Sequence, residues 1–398
     1  MYLTEVGDKK TRKEFLLVPK RLYTKDEPWV CPLDREVEAI FDPAKNSSFE
    51  GGEAIRWILK SEDGQLLGRI AAFYNTKKAM ANSQPTGGIG FFECIEDRDA
   101  AYLLFDTAVG WLKDKGMEAV DAPINFGENE SHWGLLVEGF VQQGYGMPYN
   151  KKYYKDYFES YGFKNYFEQY SYHKDVASVH EFPERFMRIA ARVAQRPGYT
   201  FEHARFSEVD KYVGDLVEVY NSAWAAFKKD FTPMDPERIK ETFLEAKNIL
   251  DEELIWFAYH NDKPIAFYII FPDLNQILKH LNGKLDFVSV VKFLYYKQRK
   301  TMTRMRALIA GVSPEYQNIG IESAIFKKLY EVFKKKPYYK ELELSWVGDF
   351  NPKMISIYNA IGAKLAKKHI TYRYIFDPKI EFVRYIEEHG ISKVELIK

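Results

Sequence analysis

Two cysteines, Cys31 and Cys94, are all that the 398 residues contain, so no disulfide framework can brace the chain. That scarcity fits a reducing cytoplasm, the compartment expected here. No run of about 18 apolar residues occurs, and a membrane-spanning helix is therefore not expected. The first twenty residues are charged throughout and have no apolar core of the length a secretory leader needs. Net charge is absent as well. The 57 basic and 57 acidic residues cancel, which argues against a general nucleic-acid surface. The eight histidines are scattered without metal-ligand spacing, so no metal is expected. The glycine-rich run 86–90 precedes a strand and is no dinucleotide fingerprint. What the chain has in excess is aromatic side chains, 16% of residues with 28 Tyr and 29 Phe, enough to fill cores, line a pocket and build an interface.

Length favours two domains, and the order of predicted elements repeats. Segments 54–59 and 66–73 flank the turn Ser61-Glu62-Asp63-Gly64, and segments 254–259 and 265–271 flank Asn261-Asp262-Lys263-Pro264. Both read as β-hairpins. Each is followed by a strand, a helix and a strand: 88–94, 98–115 and 118–122 in the first copy, 304–312, 322–335 and 341–347 in the second. Each copy then closes with a short helix, a glycine (Gly162, Gly362) and a final strand, 166–172 or 369–376. The reading is an α/β chain of mixed α+β character. It has two copies of one unit, each a mixed, mostly antiparallel sheet flanked by helices. The expected division is 1–175, a helical linker 176–198 that ends at Arg196-Pro197-Gly198, and 199–398. An insertion, 273–300, is found in the second copy alone.

The segment 302–363 carries the strongest functional signal. A strand ends at Val312, a polar loop follows through Gln317-Asn318-Ile319-Gly320-Ile321, and a helix starts at Glu322. A glycine-bearing turn into a helix N-terminus presents unpaired N–H groups and a positive dipole end, which suits a phosphate or pyrophosphate.

These residues resemble the GNAT acyltransferase superfamily in a tandem form. Its pyrophosphate loop runs Gln/Arg-x-x-Gly-x-Gly/Ala, and Gln317 to Ile321 fit it, whereas Glu322 stands where the family has a small residue. Asn351 and Tyr358, after the next strand, match two further family positions, and Pro352 suits a helix N1. The whole chain is similar to a bacterial group of tandem-GNAT proteins through 26–33, 68–72, 90–93 and 219–224. The resemblance implies an acyl-CoA, acetyl-CoA or another, as co-substrate. It would be bound by Val312, Gln317, Asn318, Ile319, Gly320, Ile321, Glu322 and Asn351 in the second copy. It implies also that the N–H groups near Val312 polarise the thioester carbonyl and that Tyr358 protonates the leaving thiolate. The expected activity is N-acyl transfer to a small-molecule amine held near the domain interface. The alternatives are an aminoacyl-tRNA-dependent transferase and a non-catalytic binding module on the same fold.

The transfer needs a base, oxyanion donors and a proton for the thiolate. Glu341 and Glu343 share one strand face, and Asp349 follows in the loop. Glu343 or Asp349 can take the amine proton, directly or through water; each also reads as a solvated strand-edge carboxylate. In the first copy the matching loop is Ile95-Glu96-Asp97-Arg98-Asp99-Ala100, three acids and no glycine, a poor phosphate cradle. Its polar and aromatic loop 123–134, with Asn125, His132 and Trp133, is a candidate substrate wall together with Tyr149 and Asn150. Asp273 and Asn275 join as weaker candidates, a helix N-cap being the plainer reading. The aromatic run 149–172 lacks a basic stripe and reads as core and interface.

Overall fold

The structure is a computed structural model that describes every residue except 128–130, 178–181, 226–232 and 390–398. β1 (Tyr2–Glu5), α1 (Lys9–Leu22) and α2 (Asp34–Ile40) precede the first hairpin, β2 (Gly52–Lys60) and β3 (Leu66–Asn75). The single turn α3 (Thr76–Ala79) leads to β4 (Thr86–Cys94), α4 (Arg98–Asp114), β5 (Ala119–Ala122), β6 (Leu135–Glu138), α5 (Tyr154–Tyr161) and β7 (Lys164–Asp175). α6 (Glu184–Ala194) connects to β8 (Tyr199–His203), α7 (Val209–Ala225), α8 (Pro236–Ala246) and the second hairpin, β9 (Ile255–His260) and β10 (Lys263–Pro272). The insertion forms two helices, α9 (Asn275–Leu278), beside the cap expected at Asp273 or Asn275, and α10 (Phe287–Gln298), which its sequence did not announce. β11 (Arg304–Val312), α11 (Ile321–Lys335), β12 (Glu341–Gly348), α12 (Pro352–Ala360), β13 (Lys364–Ile375) and α13 (Tyr385–Glu388) complete the order.

Local chemistry explains the joints. Asn261 and Asp262 take φ of +49° and +65°, the left-handed pair that a two-residue hairpin turn requires. Asp97 caps α4 by accepting from the Ala100 N–H, and Asn351 caps α12 by accepting from the Met354 N–H at 3.2 Å.

The strands join in one sheet, in the order β1-β2-β3-β4-β5-β13-β7-β12-β11-β10-β9-β8, with β6 on β13. The two halves of this order repeat each other, except that the last strands are exchanged. β13, the end of the second copy, pairs with β5 of the first, and β7, the end of the first, pairs with β12 of the second. The sheet therefore does not divide where the sequence repeat divides. The cores record the same exchange. Tyr372 of β13 packs with Leu104, Phe105 and Leu112 of α4, while Tyr172 of β7 packs with Leu342 and Leu344 of β12 and with Tyr358. Burial of such apolar faces is the main term holding helices to a sheet.

In each copy the two parallel strands begin side by side and then part. β11 and β12 pair only from Arg304–Glu341 to Ala307–Leu344, yet β11 continues to Val312 and β12 to Gly348. β4 and β5 pair only from Thr86 to Gly88 on β4 and from Ala119 to Asp121 on β5. The first wedge is filled by the chain that follows β5, where the Ile124 N–H donates to the Ile89 carbonyl at 2.9 Å. Gly90 makes room for this plug, because a Cβ there would lie 2.2 Å from the Ile124 carbonyl oxygen. We expect Gly90→Ala to cost about 1–3 kcal/mol through this overpacking, read as a lower urea midpoint at unchanged slope; an unaltered midpoint would show that the plug yields freely. Among the described residues no backbone hydrogen bond fills the second wedge in this way.

Candidate functional site

The open wedge ends at the loop 313–320, where an anion site was expected. Beyond Val312 the chain makes one 3-10 turn, Pro314–Tyr316, and the Gln317 amide donates to the Val312 carbonyl at 3.2 Å, folding the loop back on its strand. Asn318 and Gly320 take φ of +64° and +86°, and α11 starts directly after. The N–H groups of its first turn, Ile321 and Glu322 included, have no intrahelical acceptor. Gly320 is favoured by its left-handed backbone, and an added Cβ would also sit tightly, 3.2 Å from Val193 Cγ2 of α6. Glu322 is half-buried, burial pushes its carboxyl above the usual range, and it lies near enough to help raise the Tyr268 phenol.

Tyr358 is buried with its ring 5.3 Å from that of Tyr172. Burial raises its phenol well above the ordinary value, against the neighbouring Tyr268 hydroxyl, which lowers it. It is therefore fully protonated at neutral pH, as a proton donor must be. Ile319 and Val312 are half-buried against the same core.

The two carboxylates read from the sequence have unequal surroundings. Glu343 is 2% exposed and ion-paired with the equally buried Lys367, with Arg304 at 3.9 Å. Burial alone would raise its pKa, but Lys367, Arg304 and Arg306 outweigh that and hold it below the usual range. Such a group is a poor proton acceptor, and the backbone at Gly144 covers it. Asp349 sits at the mouth of the wedge. Its Oδ2 accepts from Arg384 at 2.8 Å, its Oδ1 has no partner among the described residues, and burial raises its pKa despite Arg384.

The substrate candidates separate into two kinds. Asn150 is buried in a backbone clamp, with its amide and carbonyl both bonded to Leu136. Asp273 accepts from Arg304 Nε at 2.7 Å and from the Tyr145 and Asn275 N–H groups, while the Asn275 amide donates to the Gln143 carbonyl. Asp273 and Asn275 tie the loops of the two copies together, Asn150 braces the first copy alone, and all three present little to a ligand. Tyr149 packs on Tyr23 and Phe140. His132 lies tilted against Phe91, and burial, with Arg69 nearby, lowers its pKa to about 4. Asn125 is half-buried beside the filled wedge; of the rest of its loop, 128–130 lie outside the described residues.

Trp133 alone reaches the seam between the exchanged strands. It is fully buried, 6.3 Å from Trp346 and 6.0 Å from His369, with the Arg306 guanidinium 5.2 Å from its ring. Around it lie groups that the sequence reading did not single out. His369 and Gln169 are direct cross-strand partners on β13 and β7, with Ser171 beyond them opposite Lys367. All four are buried. Both ring nitrogens of His369, the Gln169 amide nitrogen, the Ser171 hydroxyl and the Trp133 indole N–H lack partners among the described residues. The Pro148 carbonyl faces the His369 ring without completing a hydrogen bond, and burial first, then Lys367, holds the ring neutral with a pKa of about 3. Buried polar groups are ordinarily hydrogen-bonded, to protein or to ordered water. A trace of them was in the sequence: polar residues alternate along Lys367, His369, Thr371 and Arg373, and along Gln169 and Ser171, and so share one face of each strand.

A repeated unit with a parting parallel strand pair, a glycine turn and a helix N-terminus at the parting defines the class: the chain has the GNAT acyltransferase fold. It superposes over 95% of its length on a tandem GNAT protein from the clavulanic acid biosynthesis pathway, covering 100% of that chain with a TM-score of 0.54 at 10% sequence identity. By sequence it is 26% identical over 371 residues to Protein YghO of Escherichia coli (strain K12), spanning 92% of this chain and 93% of that protein. It is 27% identical over 372 residues to the bacterial ceramide synthase of Caulobacter vibrioides (strain NA1000 / CB15N), spanning 90% and 94%. No protein-family model matches the sequence. No helix among the described residues is long and apolar enough to cross a membrane.

Proposed function

We propose that the protein is an acyl-CoA-dependent N-acyltransferase with the acyl donor in the second copy and the amine at the seam. The observation that carries this reading is the contrast between the wedges: that of the first copy is plugged by Ile124, and that of the second opens onto Gln317 to Glu322. The pyrophosphate would rest on the N–H groups at the start of α11, and the thioester would lie along the unpaired edge of β11 near Val312. The amine nitrogen attacks the thioester carbon, the C–S bond breaks, and Tyr358 protonates the thiolate. Asp349, with its raised pKa and open oxygen, is better fitted than Glu343 to take the amine proton, through water.

The relative named a ceramide synthase supports a narrower reading. Ceramide is an amide of a fatty acid with a long-chain amino alcohol, so both substrates would be long-chained and acetyl would be a short surrogate. The open polar atoms of His369, Gln169 and Ser171 would then receive the hydroxyl groups beside the amine. The test combines acyl-CoAs from acetyl to palmitoyl with a long-chain amino alcohol or a short amine, reading thiol release and product mass. We expect amine-dependent thiol release and a product heavier by one acyl group, fastest with long chains on both sides. No thiol release with any acyl-CoA at millimolar concentration would overturn the acyltransferase reading; release with short partners alone would overturn the ceramide-type one.

A further inference from the structure

Helix α10 belongs to the insertion that the first copy lacks, and it is seated with its apolar side outward. Ser289, Phe293 and Tyr296 turn inward, Phe293 against Leu278 and Leu281, Tyr296 stacked 4.2 Å from His280. The opposite face carries Phe287, Val291 and Leu294, exposed by 83%, 51% and 52%, broadened on either side by Val288, Val290 and Tyr295. A soluble surface seldom leaves so large an apolar stripe uncovered.

Charge along the insertion is mostly basic, and the nearby Asp34 is paired with Lys20. From 274 to 303 there are six basic residues, Lys279, Lys284, Lys292, Lys297, Arg299 and Lys300, against one acid, Asp286. That acid is engaged in capping the helix by accepting from the Ser289 N–H at 2.9 Å. The chain as a whole is neutral, so this excess is local. An apolar stripe flanked by lysines on a helix that does not span is the pattern of an element lying in the plane of a lipid–water interface.

We propose that α10 docks the protein on an anionic lipid bilayer, with Phe287, Val291 and Leu294 in the acyl–headgroup boundary and the flanking lysines on acidic headgroups. Placement favours it. α10 leaves the sheet at the Arg304 end of β11, and the loop 313–320 lies beyond Val312 at the other end, about 30 Å away for nine residues of strand. The loop thus stays in water while the helix meets lipid. The clamp of Asp273, Asn275 and Arg304 fixes the root of the insertion to the first copy, so the helix is presented on a rigid base. This inference does not depend on acyl transfer, because binding to vesicles needs no turnover.

The test is sedimentation of the full chain with vesicles of phosphatidylcholine, with and without phosphatidylglycerol, alongside analytical ultracentrifugation of the protein alone. We expect binding to the anionic vesicles that weakens about tenfold or more when phosphatidylglycerol is removed, and again in V291E/L294E. A charge-only variant, K284E/K292E, should lose most of the preference for phosphatidylglycerol. All four positions are exposed, and an unchanged melting curve would show that the variants remain folded. Failure to bind either vesicle would overturn the proposal, and so would equal binding by V291E/L294E. A dimer in solution that V291E/L294E dissociates would assign the face to a second copy instead.

Discussion

Replacement of Tyr358 by phenylalanine is expected to slow acyl transfer by about 10²–10⁴-fold, the range for loss of a positioned proton donor, with little change in acyl-CoA affinity. The ring stays, so its packing on Tyr172 and in the α12 core is preserved. Only the hydroxyl is lost, together with its influence on Tyr268. A purely structural tyrosine would give another result: stability would fall on loss of the buried hydroxyl, with turnover per folded molecule unchanged. Steady-state kinetics beside a denaturation curve separates the two. Because the raised Tyr358 pKa keeps the phenol protonated at and above neutral pH, no loss of turnover from Tyr358 ionisation is expected between pH 7 and 9. An equal fall in turnover and affinity would remove Tyr358 from the chemistry.

The second large effect concerns stability. Lys367→Met is expected to cost about 3–5 kcal/mol, the penalty for leaving one member of a buried ion pair without its partner. Glu343 and Lys367 are each 2% exposed, so water cannot replace the lost ammonium. Adding Glu343→Leu should return part of the loss, since removal of both charges also removes their desolvation. The pH dependence has a definite sign. Glu343 titrates below its ordinary value in the folded state, so its contribution is present above the unfolded pKa and is lost as pH falls. His369 and His132 are held neutral, with pKa values of about 3 and about 4 against 6.5 when unfolded, so the unfolded chain takes up protons that the native chain refuses. Both effects destabilise the protein in acid. For His369 alone the loss between pH 6.5 and pH 5 is about 2 kcal/mol, at about 1.4 kcal/mol per unit. A urea midpoint lower at pH 5 than at pH 7.5, with part of the drop absent in His369→Phe, is the expected result; a flat profile would contradict the buried, neutral assignment.

Much of this was legible locally. The strand 304–312 was bounded correctly by its apolar run and Ser313-Pro314, and the first hairpin by Ser61 to Gly64, whereas Lys263 and Pro264, read as turn, open β10. The start of α12 followed from Asn351-Pro352, where a cap and an N1 proline coincide. The strand exchange was not legible, because β7 and β13 have the same pattern whichever copy they join, and pairing between distant segments leaves no local mark. The open polar cluster was missed for the same reason: His369 and Gln169 lie 200 residues apart and meet only through that pairing. α10 escaped notice because its exposed side is the apolar one, which inverts the periodicity a soluble helix shows. Asp273 and Asn275 were read as possible ligand groups since the sequence could not reveal that Arg304 and Gln143 occupy them.

The exchange of β7 and β13 also has a consequence for how such a chain could have arisen. Each copy completes its half of the sheet with a strand from the other, so one copy alone would find its missing strand only in a second molecule. Two unlinked copies would assemble as a swapped pair whose formation depends on concentration. The linker 176–198 makes that encounter intramolecular, at the millimolar effective concentration a short tether supplies. Once tethered, the copies no longer need to be identical. One could lose its wedge to Ile124 and the other keep it, and the asymmetry between the two wedges would follow from the covalent link.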